Sequence, residues 1–452
     1  MGSNSAYARA NVRASASDTA GRGVLGCCGR SAFGHGRCLQ VAVGPLAVFF
    51  GAALAACAHP PPPSKAVGKG PPPSDFYVDP ESLPLDRAPK LLARLRSSPH
   101  DYYRFINQRF AQSVCMAFDA EDLPSVNLHG DAHLEQYAVT DRSRGLTDFD
   151  DSATGPPVID LLRMMTSVIL VSEDLGWTAQ STAFLERFLE GYQAALKQPD
   201  ILGRRPRLVP ELRATFTRSR ADFLAWTETV TEPFSDEVLP DIQVAIEPYV
   251  HRMVESEPKA HDPAFFRVKR AGRVRLGIGS ALDTKVLLRV EGPTERADDD
   301  VVLEAKQVRD LGGVSCINGS NRVDPFRILI GQSRIAYAPH RLVGYVRYKG
   351  ETFWIHSWAD HYRELDVDTM LAEPEDLLEI LFDIGLQLGR GHPNQIASPL
   401  DDELRDVLVD FSRGARPSLF AFARRAASRT RVAWERFRRN TKDLVASGSD
   451  GS

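Results

Sequence analysis

Residues 129–136 read HGDAHLEQ, and residues 146–161 read LTDFDDSATGPPVIDL. Together they place Asp131, Asp148, Asp150 and Asp151 in one short region with His129 and His133. Such a set can serve as a general base, a hard-metal site or only a polar loop. Asp131 lies between Gly130 and Ala132, just after the stretch SVNL. A loop carboxylate at a strand end is well placed to accept a proton. Asp148 follows a second short strand-like piece, GLT, and with Asp150 and Asp151 offers the oxygen donors that Mg²⁺ prefers. His129 and His133 read as loop hydrogen-bonders or, in the pattern HxDxH, as metal ligands.

The chain has 452 residues, with 55 basic and 59 acidic side chains and a formal net charge of −4. This length fits two or three domains or one large bilobal unit. A hydrophobic fraction of 43% is ordinary for a globular protein. The charge balance gives no whole-chain case for binding nucleic acid. The cysteines are Cys27, Cys28, Cys38, Cys57, Cys115 and Cys316, with no CxxC pair and no zinc-like spacing. Whether Cys115 and Cys316 pair is open; an oxidising compartment would permit it.

Asp18 is the only acid in residues 1–40, which are rich in Gly, Ala, Ser and Arg. The apolar run VAVGPLAVFFGAALAAC, residues 41–57, is short for a membrane span of roughly 20 residues. A positive region, an apolar core and small residues at its end describe a secretory signal peptide. Leu54-Ala55-Ala56-Cys57 resembles the lipobox of bacterial lipoproteins, which implies lipidation at Cys57 and a cell-envelope address. Ala58, standing where Asp would imply inner-membrane retention, favours the outer membrane or its periplasmic face. Residues 58–75 read as a Pro-rich tether that stays extended.

Beyond the tether, apolar spacing predicts helices over 85–118, broken at Pro99, and over 158–196, the first part of the latter being apolar nearly all round and so buried. Alternation then predicts strands in RVRLGIGSALDTKVLLRVEG, VVLEAKQV and a hairpin turning at Lys349-Gly350. PEDLLEILFDIGLQLGRGH predicts an amphipathic helix opening at Pro374, and a basic helix with one packed and one solvated face closes the chain. Gly277-Ile278-Gly279-Ser280 falls between strands, as a nucleotide-covering hairpin would. Lys306 falls inside an apolar strand, where a cation calls for an anionic partner. Phosphoryl transfer uses these parts: a base, metal-binding carboxylates, a phosphate-reaching lysine and a glycine-containing turn.

The two acidic motifs resemble the HGDxHxxN and IDFxD…DL segments of the aminoglycoside phosphotransferase-like kinases. Asp160 follows Asp148 by 12 positions and Asp148 follows His129 by 19, as in that family. The order of the parts differs, because Gly277 and Lys306 follow the catalytic loop instead of preceding it. This permuted order, with Ser98-Pro99 and Arg104, the GDAH and DFD motifs, the glycine turn and Lys306, resembles the uncharacterised bacterial domain-of-unknown-function family two-two-five-two. The resemblance implies an α+β, bilobal, kinase-like fold in circularly permuted order, with the helical lobe split across both chain ends and an antiparallel-sheet lobe in the middle. The expected divisions are 1–57 signal peptide, 58–75 tether, 76–260 helical part with the catalytic and metal loops, 261–360 nucleotide-covering sheet, 361–445 helical completion and 446–452 tail.

By the same resemblance Asp131 is the base, and Asp148 holds Mg²⁺ with Asp150 and Gln136. Lys306, Gly277, Gly279 and Ser280 bind ATP or another nucleotide, while His129, His133, Asp160 and Arg104 are scaffold. The implied activity is transfer of phosphate to the hydroxyl of an unknown small molecule or protein, with no nucleic acid as partner. Gln136 replaces an Asn, Gln307 replaces the Glu after the lysine, and Gln332 stands where a helix bearing a lysine-pairing Glu belongs. These departures keep open a degenerate envelope binding module without turnover. A metal-dependent hydrolase built on His129, Asp131 and His133 is the third reading.

Overall fold

The computed structural model describes residues 76–85, 88–119, 122–256, 262–274, 283–317, 323–338, 340–395, 400–442 and 444. Helices α1 (Pro89–Ser97), α2 (Pro99–Phe105) and α3 (Asn107–Ala117) come first. Pro99 breaks the predicted helix by opening α2, where the Ser98 side chain caps the Asp101 amide. Strand β1 (Val126–Leu128), the hairpin β2 (Tyr137–Thr140) and β3 (Arg144–Leu146), and β4 (Ala153–Gly155) carry the acidic motifs between them. Helices α4 (Val158–Asp174), α5 (Ser181–Lys197), α6 (Leu208–Ala214) and α7 (Arg220–Val230) follow.

The chain then builds β5 (Thr231–Pro233), α8 (Leu239–Ser256), β6 (Val268–Val274), β7 (Lys285–Val290), β8 (Val301–Gln307), α9 (Phe326–Arg334), β9 (Gly344–Tyr348) and β10 (Glu351–Ser357). It ends with β11 (Tyr362–Glu364), α10 (Val367–Met370), α11 (Pro374–Gly391), α12 (Leu400–Gly414) and α13 (Arg416–Asn440).

The architecture is mixed α+β with antiparallel sheets. Six strands pair in the order β5-β6-β7-β8-β10-β9, β11 joins β2 and β3, and β1 pairs with β4. The β9–β10 hairpin turns at Lys349 (φ 51°) and Gly350 (φ 84°), the left-handed pair that tight hairpins demand. One apolar core joins α1–α5 to α11–α13, so helices from both ends of the chain bury each other. As the sequence implies, α4 is buried almost all round, from Val158 to Ser172.

A second core lies between α8 and one sheet face, with Ile246 and Tyr249 meeting Leu288, Leu303 and Ile355. Helix α7 covers Val274, Leu287 and Val302 on the other face. The elements that pack with the sheet therefore begin near residue 220, with α7, ahead of the 260/261 division drawn from the sequence. Strand alternation sends Lys285, Glu304, Lys306, Trp354 and His356 to the face away from α8.

Helices α5 and α11 approach closely through glycines. A Cβ on Gly385 would stand 2.3 Å from the Phe188 carbonyl oxygen and 2.7 Å from the Tyr192 nitrogen. A disulfide joins Cys115 on α3 to Cys316, in the segment after β8. Gly385→Ala should lower stability by about 1–3 kcal/mol, because the rigid backbone of α5 must move. Urea unfolding measures this, and an unchanged midpoint would contradict the close packing. Reduction of the Cys115–Cys316 bond, which spans 201 positions, should lower stability by about 2–4 kcal/mol. Melting with and without a dithiol reports it.

Candidate functional site

Strand β1 delivers the chain into the 129–133 loop. Asp160, in the first turn of α4, is fully buried and accepts hydrogen bonds from the His129 amide at 2.7 Å and the Gly130 amide at 2.8 Å. Gly130 has φ 84°, and a Cβ there would overlap the Asp151 carbonyl oxygen at 1.9 Å, so only glycine fits. The His129 ring donates from Nε2 to the Thr147 carbonyl at 2.8 Å and accepts at Nδ1 from the Asp131 amide at 3.2 Å. Both ring nitrogens are thus used to fix the loop, and burial pushes the imidazole below its usual pKa. His133 is buried edge-on to His100, with its Nε2 3.8 Å from Asp131.

Asp131 points inward to Arg163 of α4, whose Nε donates to Oδ1 at 2.8 Å. Burial pushes the Asp131 carboxyl up to about 7, with Arg163 opposing the rise and Asp151 and Asp148 adding to it. The Arg163 guanidinium is wholly buried, lies 3.8 Å over the Tyr103 ring and donates to the Tyr103 and Arg104 carbonyls. A guanidinium so fully engaged holds Asp131 in one orientation.

Asp148 takes a left-handed backbone conformation, φ 58°, which turns the chain sharply after β3. Its side chain stays 30% exposed, while those of Asp131, Asp150 and Asp151 are under a tenth exposed. Lys306 Nζ reaches it from β8 at 2.8 Å and lies 3.4 Å from Asp150. Burial works to raise the Asp148 carboxyl, but Lys306 and Lys285 outweigh it and hold it well below the carboxylate range. Asp150 is pushed up to about 7 by burial and by Asp148, and accepts from Trp354 Nε1 at 2.6 Å. Lys285 stands opposite Lys306 in the sheet, and burial and then Lys306 lower its pKa. Glu304 is buried on the same strand face; burial would raise it, yet Lys306 and His356 hold it down at about 2. Asp151 accepts from Asn107 at 3.1 Å and from Arg309 at 2.9 Å.

The structure therefore brings together Asp131, Asp148, Asp150, Lys306, His129, His133 and Asp160. Gln136 is buried opposite Thr147, whose amide and hydroxyl bond to its carbonyl at 2.8 and 3.0 Å, one residue from Asp148. Arg104 pairs with Glu135 and Asp101, and only its carbonyl reaches Arg163. Gly277, Gly279, Ser280 and Cys57 lie outside the described residues. Gln332 does sit on a helix, α9, buried and with its Nε2 unpartnered.

Sequence reasoning missed Arg163, Glu304 and Trp354. A single arginine inside the apolar run VIDLLRMMTSVILV was a readable sign of a buried charge needing a partner. A groove of about 380 Å³ lies elsewhere, beside β5–β8. Its cations are engaged in ion pairs, Arg270 with Glu228 and Lys269 and Arg289 with Asp300. Among the described residues no group of three or more His, Cys, Asp and Glu side chains is arranged to hold a metal ion.

The family described as "Uncharacterized protein conserved in bacteria (DUF2252)" matches residues 86–201 and 209–440, and the chain belongs to it. No curated protein and no solved structure matches the chain.

Arg163→Met would leave the buried Asp131 carboxylate without its cation and should cost about 3–5 kcal/mol well above pH 7. Below its raised pKa Asp131 is protonated, so the loss should be smallest in acid and grow as pH rises through about 7. Denaturant unfolding of both chains across pH measures this; a loss independent of pH would show that Arg163 serves packing alone.

Proposed function

For this member of the family we propose a kinase-like phosphotransferase that uses a Mg²⁺-bound nucleoside triphosphate and phosphorylates a hydroxyl acceptor, tethered to the cell envelope through Cys57. The observation that carries it is the meeting of Lys306 with Asp148 at 2.8 Å beside the loop that holds Asp131. The order of the sheet supports the same reading. Strands β6 and β7 flank the glycine-containing segment, Lys306 sits on the next strand and α9 follows, as the glycine loop, lysine strand and helix do in protein kinases.

The permuted chain order has a structural counterpart. The end of α11 lies beside β1, where the Asn127 amide donates to the His392 carbonyl at 3.0 Å and its side chain to the Gly391 carbonyl at 2.9 Å. We read α11 as the counterpart of the helix that precedes the catalytic loop in ordinary kinases, here beside that loop but not joined to it.

The donors fit a magnesium ion, which takes one or two carboxylates and leaves other positions to phosphate and water. Asp148, the most exposed of the site carboxylates, would hold it with Asp150, which shares Lys306 with it, and Gln136 is the third donor that the family resemblance implies. Bound there, Mg²⁺ would neutralise phosphate charge. Lys306, Lys285 and the glycine turn would orient the phosphates. Asp131, with its pKa near neutrality, would take the acceptor hydroxyl's proton, and Arg163 would keep it aimed. The Cys115–Cys316 disulfide favours an oxidising compartment, in keeping with the signal peptide and lipobox.

A second reading, a binding module without turnover, is favoured by Gln332, which puts an amide on α9 where a lysine-pairing carboxylate belongs. The hydrolase reading has less support, since His129 spends both ring nitrogens on the backbone.

Mg²⁺ and ATP together should raise the melting temperature of the protein. Asp131→Asn should keep that shift while lowering phosphate transfer about 10²–10⁴-fold, and Asp148→Asn should lose both. Transfer should rise with pH through about 7 as Asp131 loses its proton. A nucleotide-induced shift without transfer at any pH would favour the binding module, and no shift at all would end both readings.

A further inference from the structure

The chain carries a formal charge of −4, yet its last helix is strongly basic. Helix α13 holds eight arginines against one acid, Glu435, and α1 holds Lys90, Arg94 and Arg96 with no acid. The inner face of α13 is committed to the core through Leu419, Ala423, Ala427 and Phe437. Arg416 and Arg431 pair with Glu186 and Glu173 of the neighbouring helices, while Arg425, Arg436, Arg438 and Arg439 are exposed, with the apolar Val432, which is 64% exposed, among them. Helix α1 lies alongside, where Arg96 donates to the Arg438 carbonyl at 2.7 Å and to the Thr441 hydroxyl at 2.6 Å.

We propose that this face of α13 and α1 docks on a membrane surface bearing anionic phospholipid headgroups. Several arginines are held over aromatic rings, Arg436 at 3.9 Å from Tyr77 and Arg438 at 4.7 Å from Trp434, so their guanidinium planes are ordered before any partner arrives. A 25-residue helix is roughly 37 Å long, so its charges form an extended array matched to many phosphates and not to one small ligand.

The chain also enters the described fold on this face. Arg429 lies 4.8 Å over Phe76, and the Asn440 amide donates to the Tyr77 hydroxyl at 2.7 Å. Residues 58–75 are all that separate Cys57 from that point, an extended reach of at most roughly 60 Å. The choice of lipid over nucleic acid rests on the export reading of residues 41–57; the surface itself does not. Basic side chains beside an anionic leaflet attract it within a Debye length, so the contact is sensitive to salt.

The test is sedimentation of the full chain, carrying Cys57→Ala so that no acyl group contributes, with vesicles of phosphatidylcholine alone or mixed with phosphatidylglycerol. The expected result is preference for the mixed vesicles, lost in high salt. The combined variant Arg425→Glu, Arg436→Glu, Arg439→Glu should bind them at least about tenfold more weakly. The corresponding glutamine variant should fall between, and it decides the matter if the glutamate variant melts early. Equal binding to both vesicle types, or variants that bind like the parent, would overturn the proposal. So would tighter binding to a single-stranded polynucleotide, lost in the same variants. Acyl labelling at Cys57 in cells reports separately on the export reading.

Discussion

The Asp160 carboxylate is the constraint on which the site depends. It is fully buried in the first turn of α4, accepts the amides of His129 and Gly130, and lies 3.2 Å from His392 Nε2. It thereby ties the 129–130 loop to a histidine that lies 232 positions beyond Asp160 in the sequence. An ionised carboxylate out of water is tolerated only when its lone pairs are filled, and loop amides at a helix start fill them. The loop then has one available course, with Gly130 against the backbone of Asp151 and Asp131 directed to Arg163. Asn127 completes the junction, accepting from Arg334 of α9 at 2.8 Å while bonding to the end of α11.

Charge balance extends from that junction to the sheet. Asp131 answers to Arg163, Asp148 and Asp150 to Lys306, and Asp151 to Arg309. Lys306 comes from β8 and Arg309 from just beyond it, so the sheet is joined to the helical part through the carboxylates that would do the chemistry. Buried ion pairs contribute little net stability, because desolvation offsets their attraction. What they supply is position. The Cys115–Cys316 bond adds a covalent link between α3 and the segment that carries Arg309.

Much of this was legible beforehand. The HGD and DFDD motifs placed Asp131, Asp148 and the buttressing Asp160, and the apolar strand around Lys306 called for an anionic partner. Arg163 was missed because its helix was read for its apolar surroundings and not for its one charge. Glu304 was missed because a carboxylate was sought on a helix, whereas it stands two residues before Lys306 on the same strand face. That α8 covers the sheet was not legible, since an amphipathic helix does not reveal which neighbour it will bury against.

The sequence by itself determined the local chemistry: which residues turn, which alternate, where acids cluster, and which family the acidic motifs resemble. Those properties follow from backbone sterics and side-chain period, which act over a few residues. Only the tertiary structure decided the partners of the charges, the pairing of Cys115 with Cys316 and the meeting of α11 with β1. Each depends on segments brought together across hundreds of positions by burial of a shared core, and burial carries no mark in the sequence of which distant face it will choose.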